Sequence, residues 1–196
     1  KMLAPLDNKK SIYSIKSSLV NLGYNEVISY SFIEKETEES LHSNSDLIQL
    51  QNPIASQMNV MRSKMWGSHI EILIYNLNRG HSQIRIFEIA PVFQKVKSIF
   101  SETLMVSGLV SGDFIPEQWG SKKREINFYD IKGDIEIISG KALSMETPKG
   151  IIPEAFHPGQ VAELIINKAS VGWIGQLHPE WQHKYELTEK AYLFEI

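Results

Sequence analysis

The sequence predicts an α+β domain built on a mostly antiparallel β-sheet flanked by helices. Segments of strand character mostly follow one another in the chain while helices interrupt them irregularly. The strand segments are rich in β-branched and aromatic residues or alternate apolar with polar ones. Helical stripes recur at three- and four-residue spacing and end at glycine. With 196 residues and 42% hydrophobic content, the chain can bury one core, so residues 1–196 read as a single domain. The opening, KMLAPLDNKK, reads as though cut from something longer.

Lys10 to Leu22 places Ile12, Ile15, Leu19 and Leu22 on one helical face, with Gly23 as a left-handed cap. Glu26 to Ile33, EVISYSFI, alternates Ile28, Tyr30 and Phe32 with Ser29 and Ser31 as a half-buried strand does. A short acidic helix, EKETEESL, follows, then a strand LIQLQ over residues 47 to 51, stopped by Asn52-Pro53. A helix from about Ser63 to Asn78 carries Trp66, Ile70, Leu73, Ile74 and Leu77 on one face and ends at Gly80. IRIFEIAPVF, residues 84 to 93, and TLMVSGLV, residues 103 to 110, read as strands; GDFIPEQWGSKKRE is a loop broken by Gly112, Pro116 and Gly120.

From Tyr129 to Leu143, Ile131, Ile135 and Ile138 form a helical stripe with Asp130 near its positive end. Gly133 within it costs about 1 kcal/mol against alanine, so a close neighbour is expected there. VAELII and SVGWIGQL form a strand pair joined at Asn167-Lys168; a short helix starts at Pro179 and AYLFEI closes the chain as a strand.

The charge balance, 20 basic against 23 acidic residues and a net charge of -3, builds in no general attraction to nucleic acid or to an acidic membrane. With no cysteine, disulfides, thiolate metal sites and thiol nucleophiles are excluded. No apolar run approaches the roughly 20 residues of a membrane span and no signal-peptide core opens the chain, so the expected location is cytoplasmic.

Arg85 and Glu88 are the charged residues of an otherwise apolar strand. A separation of three sends them to opposite faces unless a bulge intervenes. Each then reads as an internally satisfied group: Arg85 paired with a carboxylate at the sheet rim, Glu88 accepting hydrogen bonds, because an unpaired buried acid is costly. Arg62, just before the long helix, is a third candidate, for phosphate or for an ion pair. His157 and His178 each precede proline, which turn and cap geometry explains without metal. Lys122, Lys123 and Arg124 beside Trp119 form the nearest thing to an RNA-contact patch, although three loop charges supply little affinity.

NPIASQMNVMRSKMWGSHIEILIYNLNRG followed by IRIFEIAPVF, then WGSKKREINFYDIKGDIE, then FHPGQVAELIINKASVGWIGQLHPEW, resembles the synthetase-like core of the beta subunit of bacterial phenylalanyl-tRNA synthetase. The resemblance runs in one order from about Lys10 to the last residue. It departs from the family at Trp66-Gly67, where Pro-Gly is more frequent. It implies a class II aminoacyl-tRNA synthetase-like fold and a place in a two-alpha, two-beta assembly in which the alpha subunit activates phenylalanine. ATP and Mg then belong to the parent complex, with no cofactor expected in this fragment. Active class II enzymes use an arginine and an acid two apart on one strand, and a strand leading into a helix that supplies a further arginine. Here the separation is three, and GWIGQLHPEWQHKYEL offers His178, Glu180, His183 and Lys184 but no arginine.

The leading expectation is therefore a catalytically silent module, with no catalytic residue and a vestigial cleft marked by Arg62, Arg85 and Glu88. It would dock the alpha subunit through Ile12, Ile15, Leu19, Leu22, Tyr30 and Phe32, self-associate through them when isolated, and support tRNA(Phe). The alternatives are an active ATP-dependent amino acid-tRNA ligase and a metal-dependent hydrolase built on His157, His178 and Glu163.

Overall fold

The structure, a computed structural model, describes residues 11–42, 46–96, 99–115, 118–139 and 143–196; Lys10 and Pro116, named above, lie outside them. Among the described residues nine strands and five helices follow in chain order: α1 Ile12–Asn21, β1 Asn25–Glu26, β2 Phe32–Ile33, α2 Lys35–Leu41, β3 Val60–Met61, α3 Trp66–Leu77, β4 Ile84–Val96, β5 Ile99–Ser111, α4 Phe128–Ser139, β6 Leu143–Glu146, β7 Phe156–Ile166, β8 Ala169–Leu177, α5 Pro179–Lys184 and β9 Ala191–Glu195. The central sheet runs β1-β4-β5-β9-β8-β7-β6, and β2 with β3 forms a separate two-stranded ribbon. Every pairing in the central sheet is antiparallel except that of β1 with β4. The closing strand β9 thus inserts between β5 and β8 and joins the two antiparallel halves.

Helices cover both faces. Leu19 of α1 and Ile131, Ile135 and Ile138 of α4 pack on one face with Phe87, Val110, Ile174 and Phe194. Trp66, Ile70 and Leu73 of α3 pack on the other with Ile84, Ile86, Leu109 and Leu193, joined by Leu41 of α2 and Trp181 of α5. The alternation along β4, Ile84 and Ile86 to one side and Phe87 to the other, is the period-two rule at work. Helix starts and stops follow their chemistry. The Ser11 hydroxyl accepts the Ser14 N–H at the head of α1, Gly23 takes the left-handed conformation after it with φ 84°, and Pro179 opens α5 behind His178. Asn167 and Lys168, at φ 51° and 67°, make the tight turn between β7 and β8.

Three local expectations need correction. EVISYSFI is not one strand: β1 pairs with β4 and β2 with β3, and the residues between belong to neither. Alternation persists there with its polarity inverted, because Ser29 turns inward to hydrogen-bond Glu88, leaving Ile28 92% and Tyr30 67% exposed. LIQLQ contributes a single bridge, Gln49 to Val60. Gly133 of α4 has no close neighbour among the described residues, since an added Cβ would meet nothing within 4 Å; the face of α4 turned to the core is set by Ile131, Asp134, Ile135 and Ile138.

Gly172 is the opposite case, for a Cβ there would sit 1.8 Å from the Glu195 carbonyl oxygen across the β8–β9 seam. Gly172→Ala is therefore predicted to destabilise the domain by about 3 kcal/mol, whereas Gly133→Ala is predicted to stabilise it by about 1 kcal/mol. Urea denaturation of the two variants checks both signs.

Candidate functional site

The first turn of an α-helix presents N–H groups with no partner in the helix. Met65 at the head of α3 has no capping side chain, so acceptors come from elsewhere in the fold. The Glu38 carboxylate of α2 accepts the Ser63 N–H at 2.7 Å, the Ser63 hydroxyl at 2.5 Å and the Lys64 N–H at 2.9 Å. The Glu195 carboxylate of β9 accepts the Met65 N–H at 2.9 Å, and its other oxygen lies 3.0 Å from the Lys64 ammonium. The Arg62 guanidinium donates to the Glu88 carboxylate of β4 at 3.2 and 3.4 Å and to the Pro91 carbonyl at 3.2 Å, and its NH1 nitrogen also lies 2.7 Å from the Ser29 hydroxyl oxygen. Three carboxylates from three elements thus hold residues 62 to 65, and Glu38, Arg62, Glu88 and Glu195 are all buried.

Burial sets the electrostatics. Desolvation pushes the Glu38 carboxyl up, against the pull of its bonds from Ser63 and Lys64 and with the negative charge of Glu195 adding to the rise. His69, one turn into α3 and fully buried, is pushed down to about 3, first by desolvation and then by the Arg62 charge. Its Nδ1 lies 3.3 Å from the Ser107 hydroxyl, which donates to the Phe194 carbonyl. This face of the sheet therefore carries a neutral imidazole beside a closed ion pair.

On the other face, Arg85 lies 3.3 Å from the carboxylate of Asp134 in α4 and donates to the Leu22 carbonyl at 3.0 Å. Asp134 also accepts the Tyr24 hydroxyl at 2.9 Å. Burial raises the Asp134 carboxyl, opposed by the Tyr24 hydrogen bond and the Arg85 charge; burial and the Asp134 charge raise the Tyr24 phenol well above its usual range. Among the three cleft candidates, Arg62 and Glu88 come together, while Arg85 sits on the far side of the sheet with its own carboxylate.

The docking expectation for α1 is corrected in part. Leu19 is fully buried, and Ile15 and Leu22 pack against the same core, because an amphipathic helix in a single domain turns its apolar stripe to that domain's own sheet. Ile12 and Tyr30 are exposed, Phe32 is half-buried, and the outer face of α1 shows Tyr13 and Val20 instead. In the basic loop, Arg124 makes two bonds to Asp130, at 2.8 and 2.9 Å, and stacks 4.1 Å over Phe114. Lys123 lies 3.2 Å from Asp113; Lys122 and Trp119 are exposed.

His157 and His178 come within 6.5 Å of each other, ring to ring. Each Nδ1 accepts a backbone N–H, from Gly159 and from Glu180, which places the neutral ring's proton on Nε2 and leaves neither ring presenting a free lone pair. Glu163 lies away in the β7–β8 register opposite Trp173, and among the described residues no three His, Asp or Glu side chains are grouped to hold a metal ion.

Sequence reasoning missed Glu38, Asp134 and Glu195. Asp134 interrupts the apolar stripe of α4 and Glu195 an apolar strand, the signal that had singled out Glu88. Glu38 sits among four glutamates in residues 34–39, with nothing to mark it.

A mostly antiparallel sheet with this strand order and helices on both faces has the class II aminoacyl-tRNA synthetase fold. The pyrrolysyl tRNA synthetase PylSc of Desulfitobacterium hafniense shares it with a TM-score of 0.64 over 98% of this chain and 68% of that one, at 12% sequence identity. Residues 4–196 match the family described as phenylalanyl tRNA synthetase beta chain CLM domain, and the chain belongs to that family. It is 40% identical over 198 residues to the phenylalanine–tRNA ligase beta subunit of Neisseria meningitidis serogroup A and 39% identical over 196 residues to that of Chromobacterium violaceum, covering all of this chain and 25% of each relative. The chain thus spans about a quarter of the length of these curated relatives.

Removing one partner of a buried ion pair strands the other charge. Arg62→Met is predicted to destabilise the domain by about 3 to 5 kcal/mol, with much of the loss recovered when Glu88→Leu is added, as read by urea denaturation. His69 also makes stability depend on pH. Unfolded, it takes up a proton near its ordinary value of 6.5, whereas folded it stays neutral down to about 3. Stability is therefore lost as pH falls from 6.5 toward 3, by up to about 1.4 kcal/mol per pH unit from this site. Denaturation at pH 7, 6 and 5 is predicted to show a shallower decline in His69→Gln than in the native chain.

Proposed function

We propose that this domain is a non-catalytic core module of a phenylalanine-tRNA ligase beta subunit, docking the catalytic alpha subunit and supporting aminoacylation of tRNA(Phe). The observation that carries this reading is the division of Arg85 and Glu88 between opposite faces of the sheet, each closed in an ion pair with Asp134 or Arg62. Activating an amino acid joins a carboxylate to the α-phosphate of ATP, so the site must offset crowded negative charge with free cations converging on one cleft. Arg62 and Arg85 are each committed to an internal carboxylate and do not converge. ATP and Mg then act in the alpha subunit of the parent complex, in a cytoplasmic heterotetramer. Among the described residues no helix is long and apolar enough to cross a membrane.

Docking draws on exposed apolar groups near the β1 edge: Ile12, Tyr13 and Val20 on α1, and Ile28 and Tyr30 after β1. Lys122 and the fully exposed Trp119 are the parts of the basic loop open to RNA in the intact enzyme. The domain alone is predicted to give no phenylalanine-dependent exchange of pyrophosphate into ATP above background, while gel filtration with purified alpha subunit yields a complex. Exchange by the domain alone would make it an active ligase instead.

A further inference from the structure

Residues 27–31, between β1 and β2, run beside α3, and the two enclose a groove of about 250 Å³ lined by Ile28, Tyr30, Phe32, Met58, Glu71 and Ile72 among others. Ser29 is tied down from both sides, its hydroxyl donating to Glu88 and lying within bonding distance of Arg62. The outward aim of Ile28 and Tyr30 is therefore fixed by a buried network, and an apolar surface held rigidly toward water is suited to a partner. The groove is also acidic. Glu71 of α3 lines the groove, and Glu34 at the head of α2 is near enough to act on it: desolvation first, then the Glu34 charge, raise the Glu71 carboxyl, and both acids raise the nearby Tyr185 phenol after its burial. Glu34 accepts the Thr37 hydroxyl, but among the described residues no lysine or arginine forms an ion pair with either carboxylate. The outer face of α1 differs, because its Lys16 is already paired with Glu26.

We propose that this groove seats a segment of a partner polypeptide carrying an apolar side chain next to a lysine or arginine, the cation lying against Glu71 with the Glu34 charge nearby. Under the docking reading above, on which this inference rests, that partner is the alpha subunit. Opposite charge settling on two unneutralised carboxylates supplies orientation and association rate, and the apolar contact with Ile28 and Tyr30 supplies burial.

The test uses the full-length beta subunit and its purified alpha subunit, with affinity measured by biolayer interferometry at low and high salt. The double variant Glu34→Lys/Glu71→Lys and the single variant Tyr30→Ala are each expected to weaken binding about tenfold or more, the charge effect shrinking at high salt. Tyr129→Ala, exposed on α4 at the opposite face of the sheet, is the comparison and is expected to leave affinity unchanged. Glu34, Glu71 and Tyr30 are exposed, so circular dichroism and thermal melting of these variants are expected to match the native chain. If the native subunits bind and charge reversal changes affinity less than twofold, the groove assignment is overturned while docking stands. If the native subunits do not bind at all, the docking reading fails and takes the groove with it. Sedimentation showing that beta alone dimerises, and that Glu71→Lys abolishes the dimer, overturns the proposed partner in favour of a second copy.

Discussion

The grip of Glu38, Glu88 and Glu195 on residues 62 to 65 is the interaction on which one whole side of the sheet depends. Each carboxylate comes from a different element, so the head of α3 is located against α2, β4 and β9 together. Buried ion pairs contribute little net stability once desolvation is counted, and their better-attested use is to fix one arrangement against its alternatives. That fits the packing here. A core of Trp66, Ile70 and Leu73 against Ile84, Ile86 and Leu109 would tolerate sliding of the helix along the sheet, whereas bonds between 2.5 and 3.4 Å at its head do not.

The same network shapes the surface. Because Ser29 serves Glu88, the residues on either side of it face outward, and the segment after β1 presents isoleucine and tyrosine to solvent where a sheet strand would bury them. A buried polar requirement thus produces an exposed apolar one. On the opposite face Asp134 collects Tyr24 and Arg85 and ties α4 to the turn after α1. The charged side chains that suggest a nucleotide site are consumed in holding helices to the sheet, which is the physical content of the proposed loss of catalysis.

The fold was legible in the sequence wherever period and punctuation agreed. The stripe of α1 with Gly23 behind it, the β7–β8 turn at Asn167-Lys168, the Pro179 helix start and the closing strand all follow from local chemistry. The opposed directions of Arg85 and Glu88 follow from counting along a strand. What could not be read was partnership at long range. Nothing local tells that Ser29 will turn toward a glutamate 59 residues away, so the polarity of EVISYSFI was inverted. The stripe of α1 was visible, but not that its own sheet covers it, so Leu19 read as docking surface although it is core. Asp134 and Glu195 gave a usable signal, a charge inside an apolar pattern; Glu38 gave none.

The proposed silence of the module rests on Arg62 and Arg85 each being neutralised by an internal carboxylate, Glu88 and Asp134. The decisive measurement is calorimetric titration of the domain with Mg·ATP, in which no saturable heat is expected up to millimolar nucleotide. Saturable binding that disappears in Arg85→Ala or Arg62→Ala variants still folded by circular dichroism would show that these cations are free to hold a nucleotide.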